Sequence, residues 1–146
     1  MSQIRPHIDE ILSAFFQGQL EGKFGLRRRR IEGAQDRLRA CLESDGERVL
    51  IHSDCTLLAA EREFHPTDAF VRTMHADDLI CALGSFVSDE WMPADPVDRR
   101  VQLRITDALA GFIVGRRLID AQGMMCSLLE LRSGIDSSLR ALKQPA

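Results

Sequence analysis

Isoleucine, leucine and phenylalanine recur along most of this chain at the three- and four-residue spacing of a helical face. Ile4, Ile8, Ile11, Leu12 and Phe15 share one such face, with Pro6 suited to a first turn, and predict a helix over 5–20. Gly22 and Gly25 mark a break. Phe24, Ile31 and Leu38 are then heptad-spaced, with Ala34 and Cys41 in the intervening row, and predict a second helix over 24–44 that ends at Ser44-Asp45-Gly46.

The middle of the chain predicts shorter pieces. Residues 47–53 fit either a helical turn or an extended stretch. Ser53 or Asp54 is the expected cap of a helix over 55–64, and His65-Pro66 closes it because the residue before proline resists helical geometry. Thr67 is the expected cap of a short helix to Met74. Another helix follows over 76–88, with Asp77 and Asp78 near its positive end.

The run 91–96 is the clearest loop. Asp95 as cap and Pro96 in the first turn predict a helix over 96–116, with Val97, Val101, Ile105, Ala108, Leu109 and Phe112 as its inward stripe. From Ala108 to Val114 the helix is apolar nearly all round, the mark of a central, buried element. Asp120 is the expected cap of a last helix over 121–143, with Met124, Leu128, Leu131, Ile135 and Leu142 inward and Gly134 as a candidate interruption.

Strand-type alternation is almost absent and no period repeats. The expected fold is all-α: one domain over 1–146, a helical bundle of six or seven helices. It divides into an N-terminal helical pair (5–44), an acidic short-helix region (45–92) and a C-terminal hairpin of long antiparallel helices (96–143).

Composition narrows the class. With 146 residues, 45% apolar and 28% charged, the chain can bury a core without staples. The charged beginning gives no secretory signal, and the most apolar run, 108–115, is too short to span a membrane. Cys41, Cys55, Cys81 and Cys126 lack paired spacing and read as reduced, small hydrophobic residues of a cytoplasmic protein. Net charge is −3, but unevenly spread: +2 over residues 1–44, −8 over 45–95 and +3 over 96–146.

Arg27, Arg28, Arg29 and Arg30 stand in a row within the second helix. At about 100° per residue from Ile31, they fall near −40°, +60°, 160° and −100°, so they fan around the helix rather than facing one strand of phosphates. Lys23, Arg30 and Arg37 form a basic stripe beside the apolar seam. Glu32, Asp36 and Glu43 form an acidic stripe on the other side. An apolar seam with flanks of opposite sign is how helices choose partners. These arginines are therefore expected to bridge helices within the fold or across a dimer, and the expected interaction surface of a homodimer comprises Phe15, Phe16, Lys23, Phe24, Arg27, Arg28, Arg30 and Arg37. The alternative is a nucleic-acid-associated regulator that holds phosphate through Lys23, Arg29, Arg30 and Arg37. Arginine outnumbers lysine 17 to 2, which lowers the information in any arginine run.

Other chemistry finds little support. A helix-turn-helix over 76–92 would present Asp89 and Glu90 to phosphate. His52-x-x-Cys55 and His75-x-x-Asp78 have ligand-like spacing, but no second matched pair completes a metal site. Glu61 and His65 are four apart and Glu130 has no following histidine, so a di-iron bundle does not fit. No phosphate-cradling glycine loop occurs. Neither an enzyme, a metal nor a cofactor is expected. A third reading is a small-ligand sensor with an apolar pocket near Met124, Met125 and Trp91. Gly111 and Gly115, four apart, would permit close helix approach.

Overall fold

The computed structural model describes residues 5–143 and contains seven α-helices and, among the described residues, no named strand. Their order is α1 (Ile8–Leu20), α2 (Gly25–Asp45), α3 (His52–Phe64), α4 (Ala69–Thr73), α5 (Ala76–Phe86), α6 (Pro96–Gly115) and α7 (Met125–Lys143). The all-α expectation holds. Ile4 lies outside the described residues. The ambiguous run near 47–53 resolves into a 3-10 turn, Gly46–Val49, followed by two extended residues before α3.

Helix ends follow local chemistry, with corrections. Gly22 and Gly25 both adopt left-handed φ, 73° and 57°, so the α1–α2 break falls where glycine alone is unstrained. Phe24 is the residue before α2 rather than part of its seam, and its side chain is 81% exposed. Asp95 caps α6 as expected, its Oδ1 accepting from the Val97 amide at 2.8 Å. α3 begins earlier than expected, after extended Ile51, so neither Ser53 nor Asp54 is its cap. Asp68, not Thr67, precedes α4. Asp120 anchors a turn, its carbonyl accepting from the Met124 amide at 3.0 Å, and α7 starts only at Met125. Gly134 does not interrupt α7.

α2 and α5 form the centre. α2 packs on α1, α4, α5 and α6, and α5 touches α1, α2, α6 and α7. Ile8, Ile11, Leu12, Phe15 and Phe16 of α1 meet Ile31, Ala34, Leu38, Cys41 and Leu42 of α2 in one continuous core with Leu79, Leu83 and Phe86 of α5. The Phe15 ring stands edge-on to Phe16 and to Phe112, centroids 5.1 and 5.5 Å apart, which ties α1 to α6. Gly46 is small for a packing reason. A Cβ there would lie 2.6 Å from the fully buried Phe70 ring.

α6 turns a different face inward from the one its apolar residues mark. Its buried residues are Gln102, Leu103, Ile105, Thr106, Leu109 and Ile113, a face rotated by about 100° from the predicted stripe. Val97 and Ala108 are exposed. The cause is a polar junction. Gln102, fully buried, donates from Nε2 to the carbonyls of Phe86 (3.2 Å) and Trp91 (2.9 Å) and accepts at Oε1 from Arg37 Nε (2.6 Å). One amide thus joins α2, the open C-terminal end of α5, the loop after it and α6. Thr106 donates to the Gln102 carbonyl at 2.8 Å, which satisfies the other buried polar side chain of α6. Beside them, Trp91 Nε1 donates to the buried Asp45 carboxylate at 2.7 Å.

Replacing Gln102 by leucine strands a half-buried guanidinium and two carbonyls. It is expected to lower unfolding free energy by about 3 kcal/mol in urea titration. Gly46→Ala is expected to cost about 2 kcal/mol through the clash with Phe70, read in the same titration.

Candidate functional site

The arginine run divides into held and free members. Arg28 donates to the Leu20 carbonyl at 3.2 Å and pairs with Glu32 at 3.7 Å. Arg30 reaches Asp98 (3.6 Å) and Asp95 (4.0 Å) at the N-terminal end of α6. Arg37 lies on the same side of α2, bonded to Gln102. Burial lowers the pKa of its guanidinium from the ordinary value, with Asp98 and Asp36 opposing, and its Nη2 has no hydrogen-bond partner. The basic stripe does select a helix by charge, and that helix is α6 of the same chain. Arg27 and Arg29 are exposed and form no ion pair among the described residues.

The expected interaction surface therefore comes apart. Phe15 and Phe16 are 3% and 1% exposed and belong to the core, so they cannot contact a partner. Lys23, Phe24 and Arg28 do come together, in a shallow concavity at the α1–α2 turn with Gln17, Leu20 and Glu21. The phosphate-binding alternative loses Arg30 and Arg37 to α6 and keeps Arg29 on another side of the helix.

The three arginines of residues 45–95 each pair locally but are outnumbered by eleven carboxylates, so the acidic middle keeps most of its charge. Arg62 binds Glu43 (3.2 Å) and Glu47 (3.3 Å). Arg72 binds Glu61 at 2.6 Å and donates to the carbonyls of His65 and Thr67, which closes the end of α3.

Nucleophile and metal candidates stay separate. The Cys55 thiol points at the carbonyls of Glu47 and Leu50, 3.8 Å from each, rather than at His52. Cys41 is buried, and burial together with the Asp45 carboxylate pushes its thiol up to about 12, far from a reactive thiolate. Among the described residues no three His, Cys, Asp or Glu side chains converge as metal ligands. No described helix is long and apolar enough to cross a membrane.

The most developed concavity is a groove of about 600 Å³ between α6 and α7. Ala108, Gly111 and Val114 form one wall, and Met125, Leu128 and Leu129 the other. Met125 is 52% and Leu129 61% exposed, unusual for large apolar side chains in one place. Asp107 and Arg132 are the charged residues lining it, and neither joins an ion pair among the described residues. Met124 and Trp91 do not line it, so the expected ligand pocket is not assembled as drawn. Trp91 points to Asp45 instead.

No family model, curated protein or solved structure matches this chain. The groove and the surface charges therefore carry the functional reading.

The segment 108–114 was expected to be buried; Ala108, Gly111 and Val114 instead form this open wall. The signal was present in α7, where Met125 and Leu129 lie off the inward stripe of Leu128, Leu131 and Ile135.

Charge reversal separates the two classes of arginine. Arg30→Glu is expected to lower stability by about 1 kcal/mol through the loss of Asp95 and Asp98. Arg27→Glu with Arg29→Glu should stay within about 0.5 kcal/mol of the parent in thermal or urea unfolding.

Proposed function

We propose that this chain is a non-enzymatic helical interaction protein that pairs with a second copy of itself through the α6–α7 groove. The carrying observation is the exposure of Met125 and Leu129 beside the small residues Ala108 and Gly111. Small residues on one wall and large ones on the other let two helices approach closely. The rim favours a second copy as occupant. It carries one acid, Asp107, and one base, Arg132, and a two-fold axis would set each against the other twice over. The four free cysteines fit a reducing, cytoplasmic setting. The raised Cys41 thiol and a Cys55 thiol directed at the Glu47 and Leu50 carbonyls favour a binding role over nucleophilic chemistry.

A second reading draws on the groove's volume, which lies in the range of small-ligand sites, about 300–1,000 Å³. Its polar groups sit among the lining charges Asp107 and Arg132 rather than as several convergent donors, so it ranks behind pairing.

Light scattering after size exclusion tests the proposal. At about 100 µM the parent chain should have the mass of two chains, and Leu129→Glu or Met125→Glu the mass of one, with folded circular dichroism retained. Phe24→Glu should leave the dimer intact. A monomeric parent at that concentration, or a dimer that Phe24→Glu dissociates and Leu129→Glu does not, overturns it. A monomer whose groove binds a long-chain acyl probe in a Leu129-dependent manner would favour the small-ligand reading.

A further inference from the structure

His7 and His75 lie far apart in sequence and meet face to face where two helices begin. His7 is the residue before α1 and His75 the residue before α5. Their backbones form an isolated antiparallel bridge, and the Ile8 amide donates to the Met74 carbonyl at 2.9 Å. Their rings stack with centroids 4.8 Å apart and planes 32° from parallel. Each backbone amide is capped by the carboxylate three residues on: Glu10 accepts from His7 and Asp78 from His75, both at 3.2 Å. The two halves of the joint are nearly the same device, built twice and set against itself.

Neutral imidazoles stack here at little cost. Charged ones do not. Two cations at this separation repel, and each would stand at the positive end of a helix, where the backbone dipole disfavours it. The surrounding charges offset this only in part. Glu10 lies 3.5 Å from His7 Nδ1 but is also the cap of the His7 amide. Asp9 is drawn away by Arg39 at 2.9 Å. Arg5 adds positive charge and occupies Asp77 at 3.5 Å. Asp78 and Asp54 favour a cationic His75, while Arg5 and His7 oppose it.

We infer that the His7–His75 pair is an acid-sensitive latch, closed while the imidazoles are neutral and loosened when both are protonated, so that the N-terminal end of α1 lifts from the segment before α5. Ring stacking, the single bridge and two helix ends converging on one point carry the inference, and it is independent of the α6–α7 groove. The titration of His75 agrees in direction. Burial, then Arg5 and His7, holds the His75 imidazole below its ordinary value. A histidine that protonates less readily in the folded chain gives stability that is complete above about pH 6.5 and is lost as pH falls through that value toward the folded one. Asp78 has the opposite sign, since burial raises its carboxyl, and it acts in the lower carboxylate range. The histidine effect is therefore read above that range.

Amide hydrogen exchange on the full chain reads the latch directly. Corrected for intrinsic rates, protection of the Ile8 amide is expected to fall severalfold, with a ceiling of about tenfold, from pH 7.5 to 5.5, while Leu42 and Leu83 in the core change little. His75→Asn keeps a capping side chain without a titrating ring and should remove that pH dependence, and His7→Asn should do the same. Imidazole NMR titration of the parent chain needs no variant, and it should show the His75 ring protonating at lower pH than an ordinary histidine. Ile8 protection that is flat with pH, pH dependence that survives both substitutions, or a His75 ring that titrates as an ordinary histidine would each overturn the latch.

Discussion

The buried amide of Gln102 is the constraint around which the rest is arranged. Its three hydrogen bonds reach Arg37 on α2, the last carbonyl of α5 and the Trp91 carbonyl in the loop. Apolar packing alone would leave the rotation of α6 loosely specified, because that helix offers hydrophobic side chains over most of its circumference. A polar group that is fully buried must be satisfied, and only one rotation satisfies this one. Specificity of orientation comes from the amide, and most of the burial energy comes from Leu103, Leu109 and Ile113 around it.

The same junction explains the arginines. Arg37 is drawn toward Gln102 and Arg30 toward Asp95 and Asp98, so α2 and α6 are registered by one amide bond and one ion-pair cluster in adjacent turns. Burial of the Arg37 guanidinium against a neutral amide lowers its pKa from the ordinary value, and the fields of Asp98 and Asp36 oppose that shift. The run of four cations thus resolves into Arg30, which joins α2 to α6, Arg28, which holds the Leu20 carbonyl and Glu32, and Arg27 and Arg29, which face water.

Much of the architecture was legible in the residues. Period and punctuation located every helix to within a few residues, because glycine at positive φ, Asp95-Pro96 and His65-Pro66 act through local sterics. What failed was long-range. No helical wheel of α6 could place Gln102 inward, since its partners lie on α2, α5 and the loop after α5. Phe24 matched the heptad of Ile31 and Leu38 but lies one residue before the helix starts, where the period no longer applies. Phe15 and Phe16 read as a candidate surface because the sequence does not reveal that α4 and α6 cover α1.

The rotation of α6 also decides what is left open. Turning Gln102 and Thr106 inward carries Ala108, Gly111 and Val114 outward, beside Met125 and Leu129 of α7. The exposed apolar groove is therefore the geometric complement of the buried polar junction, two faces of one helix fixed by one orientation. Were the apolar stripe of α6 turned inward instead, Ala108 would leave the groove wall and Thr106 would turn toward water. A polar residue in the core and apolar residues on the surface each look like a defect when considered alone. Considered together, they are two consequences of one helix orientation.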